Sequence, residues 1–203
     1  MHTHAAGICV YVLLCVVSNI SSAASDDAEP VDAPKYTVGD SWAFKTAAGR
    51  EYTKTIAEVS GDSYVLVHSS YPGVRFRFDQ NLSVKEIEGD FKLDKRITVG
   101  WRYIDFPMKV GKKFSYRVEG SRSMFAVDST ATKWVAIDVP AGTFRALEIE
   151  SCWRNESSGW TGYGMKYWYA PAVKDFVKRK TPSDWLKDLQ NNDFELLSSK
   201  VQN

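Results

Sequence analysis

The run Thr132–Glu150, TKWVAIDVPAGTFRALEIE, restricts the fold more than any other stretch. Val135, Ile137 and Val139 alternate with Ala136 and Asp138 on the way in. Leu147 and Ile149 alternate with Glu148 and Glu150 on the way out. Period-two alternation puts one apolar face on a sheet. Pro140 pre-sets its own φ and Gly142 permits a positive φ, so Pro140-Ala141-Gly142 reads as the turn of a hairpin.

The same grammar runs through much of the chain. Trp42 and Phe44 share one face of a strand after the Gly39-Asp40 turn. Tyr52–Val59 and Ser63–His68 make a hairpin around Ser60-Gly61-Asp62. Val74, Phe76 and Phe78 follow the Pro72-Gly73 turn, and Leu82, Val84 and Ile87 come next. The stretch Phe91–Tyr103 is less regular. Short aromatic-rich strands with Gly and Pro punctuation predict an all-β fold, an antiparallel meander curled into a barrel or half-barrel. One short helix is expected near the C-terminus. There Pro182-Ser183-Asp184 precedes Trp185, Leu186 and Leu189 at helical spacing, before a last strand Phe194–Lys200.

Three blocks recur in order. Met108–Arg117 matches Tyr36–Lys45 in its Val-Gly-x-x-aromatic-x-aromatic-basic order. Thr132–Phe144 matches Thr53–Tyr64, and Lys166–Val173 echoes Arg75–Leu82. Two duplicated halves would produce these matches; so would the alternation common to all strands.

The first residues point to export. Ile8–Ile20 is apolar apart from Ser18 and Asn19, and Ser21-Ser22-Ala23-Ala24 supplies small residues for cleavage at Ala23 or Ala24. The apolar run is shorter than the ~20 residues of a spanning helix. Leu13 and Leu14 precede Cys15 where lipoprotein processing wants small residues, which argues against lipidation. The expected organisation is a signal peptide over 1–24, a disordered acidic spacer over 25–34 and a single β-domain over 35–203, secreted or periplasmic. No transmembrane segment is expected after cleavage. About 180 remaining residues bury roughly 70% of their unfolded surface, enough for one core. Charge is nearly balanced, net +1, with both signs interspersed, so nucleic acid is not an expected partner.

Chemistry is sparse. Cys9 and Cys15 fall in the signal peptide, leaving Cys152 and no intrachain disulfide. Cys152 is a candidate nucleophile, and His68 is the sole imidazole available to activate it; Glu148 and Glu150 beside it disfavour a thiolate. A small packed or half-exposed side chain is the plainer reading. Glu148 with Glu150, and Glu86 with Glu88, are carboxylate pairs for acid–base work or simply solvated strand faces. One His and one Cys cannot form a zinc set, and no calcium-loop spacing occurs, so no metal, cofactor or catalytic residue is assigned. Asn81-Leu-Ser and Asn155-Glu-Ser are sequons that matter only in a eukaryote.

Aromatics carry the functional signal. Trp42 and Trp134 sit in alternating strands and are read as core. Trp160 and Tyr163 lie in the Gly-rich stretch Gly159–Gly164, and Tyr167, Trp168 and Tyr169 follow closely. These five residues are the candidate ligand contacts.

Val139-Pro-Ala-Gly-Thr-Phe144, Tyr167-Trp-Tyr-Ala-Pro171, Val177-Lys178 and Glu195–Lys200 resemble, in order and rough spacing, a family of exported bacterial proteins of unknown function. The likeness covers most of Tyr36–Lys200. Two departures stand out: Ala172-Val173-Lys174 lacks the Gly often found after the Pro, and Lys180–Asn192 is longer than usual. The resemblance implies an antiparallel sheet curled into a barrel-like shape, and no activity. A looser likeness in shape to periplasmic lipoprotein-carrier half-barrels is analogy of fold.

The favoured function is a non-enzymatic cell-envelope protein that binds an apolar, lipid-like small molecule or an envelope protein. One alternative is an enzyme using Cys152 or a carboxylate pair. Another is a structural or interaction module that pairs through an exposed edge such as Phe194–Lys200.

Overall fold

In a computed structural model, the residues described are 29–89, 100, 102–119, 124–159, 161–181 and 190–202. The expected signal peptide, the helix expected at 182–189 and Trp160 lie outside them. Among the described residues the one named helical element is a 3-10 turn, Pro171–Val173; everything else regular is strand.

The strands are β1 Ser41–Thr46, β2 Glu51–Ser60, β3 Ser63–His68, β4 Arg75–Asp79, β5 Val84–Glu88, β6 Lys113–Glu119, β7 Met124–Val139, β8 Gly142–Asn155, β9 Thr161–Ala170, β10 Asp175–Lys180 and β11 Phe194–Lys200. They form one antiparallel sheet in the order β5-β4-β3-β2-β1-β11-β10-β9-β8-β7-β6. Each neighbour pair is sequential except β1 with β11. The sheet is therefore a meander joined at its chain ends and open between β5 and β6.

This corrects one expectation. Phe194–Lys200 is not an edge: β11 pairs with β1 on one side and β10 on the other. Chain-terminal position says nothing about sheet position once a distant strand supplies the partner. The exposed flank beside β5 carries charge instead. Arg75 pairs with Glu58 and Glu88, and Arg77 with Glu86 and Glu88, on partly exposed side chains. Charged side chains discourage pairing with a foreign strand.

The repeated blocks fall on equivalent strands. Gly39 and Gly111 both take a positive φ, 94° and 82°, in the Val-Gly turns that enter β1 and β6. The two turns make matching backbone bonds: Gly39 N–H to Ile56 and Gly111 N–H to Ala131, Asp40 to Thr37 and Lys112 to Lys109, Ile56 to Asp40 and Ala131 to Lys112. The register also shifts just past each matched residue, between Ile56 and Glu58 in β2 and between Ala131 and Lys133 in β7. Hydrogen bonding thus sets Ile56 against Ala131. The sequence match had set it against Val135, because alternation alone leaves even-numbered shifts undecided.

Two clusters form the core. One gathers Trp42, Phe44, Ile56, Leu66 and Phe76 with Trp168, Val177 and Leu196. The other gathers Phe114, Val127, Leu147, Ile149, Trp153 and Tyr167 with Ile104 and Met108. The segment between the meanders thus packs into the second cluster, and Ile104 and Met108 are fully buried. The spacer expected to be disordered is tied here: Val31 and Met108 exchange backbone hydrogen bonds of 2.6 and 2.8 Å. A single valine in an acidic, Pro-containing stretch has no periodicity to announce such a bridge.

Candidate functional site

A cavity of about 470 Å3 lies against the first meander. That is within the ~300–1,000 Å3 usual for small-molecule sites. Its wall is built by alternation. Tyr52, Lys54 and Ile56 project from one face of β2, Tyr64, Leu66 and His68 from β3, and Phe76 and Phe78 from β4. Trp42 of β1, Met165 and Tyr167 of β9, Phe194 of β11 and Tyr103 also line it. The period of two that made these segments strands also gives each strand every second residue to the cavity.

The rings are packed face and edge. His68 stacks on Tyr52 with centroids 4.6 Å apart and planes 17° apart, and Tyr71 closes on its other side at 4.9 Å. Tyr36 meets Tyr64 edge-on at 4.7 Å. Burial, with Asp175 next in importance, pushes the Tyr52 phenol well above its ordinary range; burial, with Tyr167 next, does the same to Tyr103. Both remain neutral donors.

Charged and polar side chains also reach the wall. Lys54 Nζ lies 2.6 Å from Asp175 Oδ2 and 4.6 Å from the centroid of the Phe44 ring. Arg179 Nε faces Asp193 at 3.4 Å. Burial and the nearby Lys54 cation lower His68 to about 4. The imidazole is therefore neutral near pH 7. Ser70 N–H donates to its Nδ1 at 3.1 Å.

The sign of the resulting pH dependence follows. An unfolded chain protonates His68 near its ordinary value of 6.5, whereas the folded chain does so only near 4. Between those values the unfolded state binds more protons, so stability falls as pH falls. The expected loss from this group is about 3 kcal/mol between about pH 7.5 and about pH 4. Urea unfolding of the wild type and His68→Phe at both pH values checks it: the variant should lose less stability on acidification by that amount.

The candidate residues from the sequence divide. Tyr167 lines the cavity. Tyr169 is 1% exposed and meets Phe106 and Phe176 edge-on in the second cluster. Trp168, on the opposite strand face, donates its Nε1–H to Glu148 Oε2 at 3.1 Å. The side chain of Tyr163 lies outside the described residues. Trp42 is core as expected, whereas Trp134 is half-buried beneath the Arg145 guanidinium, 4.1 Å from its ring. Most of the wall, Tyr52, His68, Tyr71 and Tyr103 included, was not singled out by sequence as ligand contacts. No motif marks it, because its members alternate along several strands as ordinary core residues do.

The carboxylate pairs behave differently from one another. Glu86 and Glu88 are solvated and paired with arginines. Glu150 is exposed and pairs with Lys166 at 2.6 Å. Glu148 is buried, against the expectation of a solvated face, and holds Trp168 and, at 3.3–3.4 Å, Thr132 and Lys166. The face of β8 bearing Ala146 and Glu148 is covered by packing: Ala146 shares a cluster with Trp168, Val177 and Leu196. Cys152 is exposed, opposite Asp128 on β7 and Gly164 on β9. His68 stacks on Tyr52 in the cavity, so the structure does not join the two as a nucleophile and base. Among the described residues no group of three His, Cys, Asp or Glu side chains is placed to hold a metal. No described helix is long and apolar enough to cross a membrane.

No protein-family model and no curated protein matches the sequence. Two solved structures align with it. One is a Bacteroides fragilis protein inferred to be exported, with a YmcC-like fold: TM-score 0.46, 11% identity, 84% of this chain and 99% of that one. The other is a Parabacteroides distasonis protein inferred to be a lipoprotein: TM-score 0.43, 15% identity, 85% of this chain and 100% of that one.

Proposed function

We propose that this chain is an exported, non-enzymatic envelope protein whose sheet curls as a half-barrel around an apolar, lipid-like ligand. The observation that carries the reading is the cavity: about 470 Å3, walled mainly by aromatic and aliphatic side chains. Apolar surface moved from water onto such a wall gains about 25 cal/mol per Å2. The aromatic residues also keep their shape when the cavity is empty, because stacked rings have few torsions to reorder. Export is supported by the apolar run Ile8–Ile20 with small residues after it. Secretion or periplasmic residence and one β-domain from residue 35 belong to the same proposal. Tyr167 is a proposed contact, joined by Trp160 and Tyr163 of the Gly-rich stretch.

Native mass spectrometry of the gently purified mature protein tests this. The expected spectrum shows an added small-molecule mass that organic extraction removes. The extracted protein should then enhance the fluorescence of N-phenyl-1-naphthylamine, and Leu66→Trp, which fills the wall, should reduce that enhancement several-fold. A protein with no added mass that leaves the probe dark overturns the reading.

A further inference from the structure

The polar groups of the cavity are ordered along it. Arg50, Tyr52, Lys54 and Ile56 alternate on one side of β2 and its leading turn, and all four line the cavity. Exposure falls along the series: Arg50 is exposed, Tyr52 and Lys54 are half-buried, and Ile56 is 3% exposed. Leu66, Phe76 and Val84, also on the wall, are buried like Ile56. Along β2 the cavity therefore runs from an exposed cation to a buried aliphatic floor of Ile56, Leu66, Phe76 and Val84, with the Lys54–Asp175 pair also on its wall.

The cations differ in what they face. Lys54 is matched by Asp175 at 2.6 Å, and Arg179 faces Asp193 at 3.4 Å. Arg50 instead donates from Nη2 to the neutral Asn192 side chain, 2.9 Å away. Among the described residues no ion pair to a carboxylate is formed by Arg50. Three cations and one carboxylate line the cavity, and its imidazole is neutral near pH 7. A guanidinium presents a planar fork of donors that fits a carboxylate or phosphate with two parallel hydrogen bonds.

Resting on the reading of the cavity as a lipid-like site, we propose that its ligand is a single-chain amphiphile with an anionic head group. The chain lies along the Tyr52–Ile56 face of β2, against Leu66 and Phe76, and the head sits on Arg50 at the rim. The volume suits one chain. The rim is solvated, so the charge contributes selectivity of modest size while the chain supplies most of the affinity.

The test is displacement of N-phenyl-1-naphthylamine, a neutral probe, by palmitate, hexadecyl phosphate and hexadecanol, each below its micelle concentration. At least one of the two anions is expected to compete about tenfold more strongly than the alcohol. Whichever is stronger identifies the head group as carboxylate or phosphate. Arg50→Gln should bring that anion to within about twofold of hexadecanol and leave the hexadecanol affinity unchanged. Arg50 is exposed, so the variant should keep the wild-type melting temperature. Equal competition by all three overturns the anionic head group, and a preference for an anion that survives Arg50→Gln overturns Arg50 as its seat; the apolar site stands in both cases. No displacement by any of the three overturns both.

Discussion

Asp40→Ala is expected to destabilise the fold by about 3–5 kcal/mol, the range for removing one partner of a buried ion pair. Asp40 is fully buried. Its Oδ2 accepts from Thr37 N–H at 3.0 Å and from Lys174 Nζ at 3.1 Å, and its Oδ1 accepts from Gln202 N–H at 2.8 Å. One carboxylate thus ties the entry to β1, the turn before β10 and the residues after β11. Lys174 depends on it in particular. That residue takes φ 58°, a left-handed conformation that costs a non-glycine residue roughly 1–2 kcal/mol. Its carbonyl accepts from Tyr36 Oη–H at 2.7 Å, and its ammonium is held by Asp40. Chemical denaturation of Asp40→Ala and Asp40→Asn separates the parts. The amide keeps an acceptor and should cost less than alanine; adding Lys174→Met to Asp40→Asn should recover part of the loss. An Asp40→Ala protein within about 1 kcal/mol of wild type would show that water replaces the carboxylate.

Trp42→Ala is expected to cost about 3–5 kcal/mol, as other large aromatic truncations in cores do. The indole is 2% exposed and touches Tyr36 edge-on, with centroids 5.8 Å apart. Its Nε1–H donates to the Val173 carbonyl at 2.6 Å. Trp42→Phe isolates that bond: it keeps most of the apolar contact, withdraws the donor and should cost about 1–3 kcal/mol. Trp42 also lines the cavity, so the alanine variant should gain less stability from the proposed ligand than wild type does. A ligand at about one hundred times its Kd adds about 2.7 kcal/mol of stability. Thermal melts with and without palmitate measure both effects in one series. Equal losses for phenylalanine and alanine would place the whole contribution in the hydrogen bond.

Both predictions rest on contacts that sequence reading reached only halfway. Gly39-Asp40 reads as a turn, and it is one. That its carboxylate is buried does not follow, because two of its three partners lie 134 and 162 residues away. Trp42 reads as core from alternation, whereas its acceptor on Val173 is set by the join of β1, β11 and β10. Glu148 shows the limit of the same rule. Alternation assigns it correctly to the face opposite Leu147 and Ile149, but which faces meet water depends on what packs over them. On β8 both faces are covered at that level. Likewise Tyr167 is legible as an aromatic in a suggestive place, while Tyr52, His68 and Tyr71 look like ordinary strand and turn residues until β2, β3 and the turn after β3 align their rings.

Local chemistry by itself determined the all-β character, most hairpins, the Val-Gly turns of the two meanders and the alternating faces. These depend on neighbours within a few residues, where φ restrictions and period-two burial act directly. Tertiary structure alone decided three things: that the last strand joins the first, that the sheet stays open between β5 and β6, and that the two meanders are filled differently. Ile104 and Met108 occupy the second cluster, while the first keeps a cavity. Repetition in the sequence makes the halves alike in backbone. Side chains brought from a connecting segment make them unlike inside.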